Sequence, residues 1–119
     1  MAKAKETEKV KPMRLTDAET GTVYELDFDR ESVRFAESRK FNVDEVLTYP
    51  QTNIPLLFFY AFRKNHRNVA LNQAQKMFDE LGGLTEQEIL RLVTLYHQTN
   101  NSLVAQDEER KNSRMTLEL

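Results

Sequence analysis

Nine consecutive residues, Ile54–Phe62 (Ile-Pro-Leu-Leu-Phe-Phe-Tyr-Ala-Phe), are apolar throughout, and they decide what the rest of the chain must provide. Wound as a helix, the segment has no face suited to water. Spacing by three and four puts Ile54, Phe58 and Phe62 on one side, Leu57 and Ala61 beside them, and Leu56, Phe59 and Tyr60 around the back. In a chain of 119 residues, either the other helices wrap this segment completely or part of it is reserved for a partner.

That length supports one domain of modest core and not two that fold independently. With 30% charged and 39% hydrophobic residues, the composition describes a soluble globular domain with polar ends. The 17 Lys and Arg against 19 Asp and Glu leave a net charge of -2, so nucleic acid would have to be held by a local patch and not by bulk charge. There is no Cys, which removes disulfides, thiolate chemistry and sulfur-ligated metals together and suits a reducing cytoplasm. The Lys- and Glu-rich start lacks the apolar core of a signal peptide. The nine-residue apolar run is about half of a membrane span, so no membrane partner is expected.

Taken in order, residues 1–11 read as a disordered N-terminal arm, 12–105 as a single domain and 106–119 as a flexible charged C-terminal tail. Met13 and Leu15, then Tyr24, Leu26 and Phe28, alternate with polar residues around the turn-forming stretch Asp17–Thr22, which is the pattern of a β-hairpin with one apolar face. Asp29 caps a short helix over Arg30–Arg39. Asn42 and Glu45 resemble a capping box for one or two turns carrying Val43, Val46 and Leu47. Thr52 or Asn53 is expected to cap the central helix, with Pro55 in its first turn and its end near Asn65. Another helix covers Gln73–Leu81 and stops at Gly82-Gly83. Thr85 and Glu88 form a capping box, with Leu84 and Ile89 placed as a hydrophobic staple, so a last helix starts at Glu86 and runs to about Ala105. The expected fold is α+β and mostly α: an N-terminal β-hairpin packed on four to five helices.

No catalytic set emerges, and a non-enzymatic role without cofactor or metal is expected. His66 and His97 lie far apart, and neither has a second His or Cys at ligand spacing. Gly82-Gly83 lacks the preceding strand and following Lys of a phosphate loop. Asp27, Asp29 and Glu31 alternate like part of a Ca2+ loop, but the mid-loop Gly and terminal Glu are missing. The cations Arg63, Lys64, His66 and Arg67 fit a helix C-terminus, whose dipole they complement, and form the alternative nucleic-acid patch. For protein binding the candidates are Leu56, Phe59 and Tyr60 on the central helix, with Met77 and Phe78 lining the same groove. Self-association is expected through the hairpin edges or the central helix.

The element order carries a resemblance. The hairpin ending Tyr24-Glu25-Leu26-Asp27-Phe28-Asp29-Arg30, then Ser32–Glu37, Ile54–Phe58, Ala61–His66 and Asp79–Leu84, resembles the tail assembly chaperones of long-tailed phages and of prophages of Gram-positive bacteria. The similarity spans roughly Met13 to Leu103. It implies a protein that coats the tape measure protein, recruits tail tube subunits during virion assembly and then leaves. A small nucleic-acid-binding regulator of a phage or prophage is the alternative.

Overall fold

The computed structural model describes residues 10–104 and 114–119, and the N-terminal hairpin followed by helices is what it contains. Strands β1 (Met13–Thr16) and β2 (Val23–Leu26) pair antiparallel, with Met13 opposite Leu26 and Leu15 opposite Tyr24. These four side chains share the face turned to the helices, as the period of two requires. Asp17 closes the hairpin. Its amide donates to the Thr22 carbonyl at 2.8 Å, its carbonyl accepts from Gly21 at 2.7 Å, and its carboxylate accepts from the Glu19 amide at 2.9 Å. Gly21, at φ 78°, supplies the left-handed residue this turn needs.

Helix α1 (Arg30–Ser38) begins at a reciprocal cap: the Asp29 carboxylate accepts from the Ser32 amide and the Ser32 hydroxyl accepts from the Asp29 amide, both at 2.8 Å. It ends with Lys40 in the left-handed region at φ 66°, which lets the Phe41 amide fold back onto the Ala36 carbonyl at 3.1 Å and drives the Phe41 ring inward. Asn42 then accepts from the Asp44 amide at 2.9 Å, one residue earlier than a capping box with Glu45 demands. The outcome is a single three-ten turn, Val43–Glu45, in place of a short α-helix.

The apolar segment does form a helix, α2, but over Pro50–Tyr60. Pro50, not Pro55, takes the first helical position, and Asn53 is buried and donates to the Glu45 carbonyl at 3.1 Å instead of capping. Pro55 therefore lies inside the helix and leaves the Gln51 carbonyl without its usual amide. The early end at Tyr60 has a tertiary cause. The Ala61 carbonyl, which a continuing helix would give to residue 65, accepts instead from the Asp27 amide at the exit of β2, at 3.0 Å.

Helix α3 (Leu71–Leu81) starts two residues earlier than the spacing indicates, with Gln73 accepting from the Ala70 amide at 2.8 Å, and ends at Gly82 in the left-handed conformation, φ 78°. Helix α4 (Glu86–Gln98) carries the expected box: the Glu88 amide donates to the Thr85 hydroxyl at 3.1 Å and the Thr85 amide to the Glu88 carboxylate at 2.9 Å. Beyond Gln98 the chain tightens into a three-ten turn, Thr99–Ser102. Three residues per turn instead of 3.6 rotates the next side chains off the buried stripe, and Leu103 and Val104 are exposed. Val10 is already tied down, exchanging two hydrogen bonds with the Gln98 side chain at 3.0 and 3.3 Å.

Rings join these elements. Phe28 meets Tyr96 at 5.1 Å, Tyr96 meets Phe41 at 5.8 Å, and Phe41 meets Tyr60 at 5.1 Å, linking the hairpin exit, α4, the 41–47 segment and α2. A second series, Phe58, Phe62 and Tyr24, runs from α2 to the strands at 5.1 and 5.5 Å. Edge-on aromatic pairs at such spacings add roughly 0.5–1.5 kcal/mol each beyond the area they bury. No helix among the described residues is long and apolar enough to cross a membrane.

Candidate protein-binding surface

The five residues singled out for protein binding do not share one groove. Tyr60 is only 3% exposed, its ring enclosed by Phe41 and Phe35, and belongs to the core. Leu56 and Phe59 are half-buried against that core. Met77 lines a hollow of about 410 Å³ between the hairpin and α3, together with Leu15, Tyr24 and Leu81. Phe78 lines a different hollow, with Ile54, Pro55, Leu84 and Ile89. The neighbours that wrap α2 leave it little to offer.

The exposed apolar surface lies elsewhere. Where the Val43–Glu45 turn passes α4, a hollow of about 420 Å³ is floored by Val43, Val46, Ile89 and Val93. Its lips are Leu47 and Leu90, 76% and 64% exposed. The Phe78 hollow, about 250 Å³, adjoins it through the shared Ile89. The larger of the two makes an apolar trough along the outer side of α4. Glu86, Ile89, Leu90, Val93 and His97 fall at helical spacing on that side, so the trough follows the helix axis. Asp44, Glu86 and His97 supply its polar edge, with His97 Nε2 at 3.7 Å from Asp44 Oδ1. Leu90 carries no mark in the sequence that separates it from Leu92 and Leu95, which are fully buried.

The basic cluster is engaged internally. Lys64 Nζ donates to Asp27 Oδ2 at 2.7 Å, and this hydrogen bond raises the Lys64 pKa above its ordinary value against the opposing effect of burial. Arg63 and Arg67 reach Glu31 at 3.5 and 3.2 Å. The Arg63 guanidinium also stacks on Phe35, 3.8 Å from the ring centroid. His66 Nε2 accepts from the Glu25 amide at 2.9 Å, and the Asn65 side chain donates to the Glu25 carbonyl at 3.3 Å. These residues bind the hairpin and α1 to the end of α2. The same contacts account for the alternating carboxylates: Asp27 holds Lys64, Asp29 caps α1, and Glu31 holds the two arginines. The largest hollow, about 840 Å³, lies above them, lined by Lys11, Asp27, Arg30, Lys64 and Gln98 among others. Its Asp27 and Lys64 are already committed to each other, Asp29 to the cap of α1, and Glu31 to Arg63 and Arg67.

Comparison with curated proteins and with solved structures finds no match. The model of a protein family described as a domain of unknown function, DUF5055, matches residues 1–119, and the chain belongs to that family.

Proposed function

We propose that this chain is a non-enzymatic assembly chaperone that holds an amphipathic helical segment of another protein in the trough along α4. The observation that carries the reading is the pair of exposed leucines, Leu47 and Leu90, set over the apolar floor of Val43, Val46, Ile89 and Val93. A helix-in-groove mode needs an apolar channel as long as several helical turns. The thirteen residues of α4 give about 20 Å at 1.5 Å per residue. The phage tail resemblance supplies the client: a long, helical, aggregation-prone tape measure protein, with tail tube subunits recruited to the complex.

The test is co-expression with a phage tape measure protein. The expected result is a soluble complex that Leu90→Asp dissolves while the variant itself stays folded, because Leu90 is outside the core. A client equally soluble with and without the chaperone, or bound equally by wild type and Leu90→Asp, overturns the reading. The nucleic-acid alternative gains no support from the geometry, since Arg63, Lys64 and Arg67 are paired with Glu31 and Asp27.

A further inference from the structure

The trough has a sign as well as a shape. Its charged edge consists of two carboxylates, Asp44 and Glu86, and among the described residues no Lys or Arg lines either hollow. The imidazole at that edge, His97, already leans on Asp44. Arg91, the only Lys or Arg in α4, is committed to the Lys11 carbonyl at 3.1 Å. Asp44 has 79% of its side chain in solvent, so its charge is presented outward and is not spent inside the fold.

Resting on the docking role proposed above, we infer that this trough selects amphipathic helices whose apolar stripe is flanked by Lys or Arg, in preference to acidic helices. The apolar floor supplies adhesion that does not discriminate, and the two carboxylates supply the choice. The same charges argue against a second copy of this chain as the occupant. A symmetric contact through this face brings Asp44 and Glu86 up against another Asp44 and Glu86.

The experiment uses three labelled synthetic helical peptides of equal length with one leucine stripe, flanked by Lys, Gln or Glu, and follows fluorescence anisotropy with the full chain. Exposed ion pairs contribute about 0.2–1 kcal/mol each, so two should make the Lys peptide bind roughly two- to thirtyfold tighter than the Gln peptide. The Glu peptide should bind weakest, high salt should compress the series, and Asp44→Asn with Glu86→Gln should abolish the ranking, so that the three peptides bind alike. Three peptides binding alike, all weakened by Leu90→Asp, overturn the charge selection and leave the docking role standing. Binding of no peptide, or binding that Leu90→Asp does not alter, overturns both. A dimer of the free chain that Leu90→Asp dissociates refutes the exclusion of a second copy.

Discussion

Replacing Tyr96 by Phe should leave this protein nearly unchanged at neutral pH and make it more resistant to alkali. Tyr96 lies on α4 between the rings of Phe28 and Phe41, only 6% exposed. Burial, then the nearby Glu37, Tyr60 and Asp44, disfavour its phenolate and push its pKa from 10.0 up to about 12. The unfolded chain releases this proton near pH 10, whereas the folded one keeps it. Between those values the unfolded state binds fewer protons, so stability falls as pH rises, by about 1.4 kcal/mol per pH unit for one group. Across the whole interval the loss from Tyr96 is on the order of 2–3 kcal/mol, a large part of the stability of a domain this size. Tyr60, raised for the same reason, and Lys64, raised by Asp27, act in the same direction, so wild type should weaken steeply there. Urea unfolding followed by far-ultraviolet circular dichroism at a series of pH values reads the slope directly. Tyr96→Phe should flatten it by up to about 1.4 kcal/mol per unit. Parallel curves for wild type and Tyr96→Phe above pH 10 would mean that the hydroxyl is solvated and that the ring chain through α4 is wrongly described.

Local geometry dictates three further outcomes. Lys40→Gly should stabilise the fold by about 0.5–1 kcal/mol, read as a higher urea midpoint, because a left-handed non-Gly residue is relieved at the end of α1. Thr85→Ala should cost about 1 kcal/mol, and adding Glu88→Ala should cost less than the sum of the two single changes, since each half of the box orients the other; a double-mutant cycle by thermal melting measures this. Phe58→Ala, at a fully enclosed ring touching Phe62 and Phe78, should cost about 3–5 kcal/mol and leave little folded protein at 37 °C by circular dichroism.

What was legible in the sequence was what neighbours in the chain decide. The hairpin with its one apolar face, the Asp29 cap, the Gly82 stop and the Thr85–Glu88 box all rest on residues close together in the chain, and all are present. The limits of α2 were not legible, because its end depends on the Asp27 amide reaching Ala61 from 34 positions earlier (61 minus 27), and its start on a competition between Pro50 and Pro55 that Asn53 decides by bonding to Glu45. The trough was hidden for a similar reason. Leu47 reads as a core residue if Asn42 opens an α-helix and becomes a lip when the segment closes as one three-ten turn. The basic cluster looked available only while Glu31 and Asp27 were distant letters; both carboxylates meet it across the end of α2.

The covering of Glu25 by His66 and Asn65 makes the little sheet one-sided. The outward-facing amide and carbonyl of Glu25 are occupied, while the other margin of the two-stranded sheet, along Arg14 and Thr16, has no strand beside it among the described residues. Growth of this sheet is therefore favoured beside β1, and two molecules joined there would leave Glu25 covered on both outer strands. Pairing at that margin thereby closes on itself and does not seed a filament.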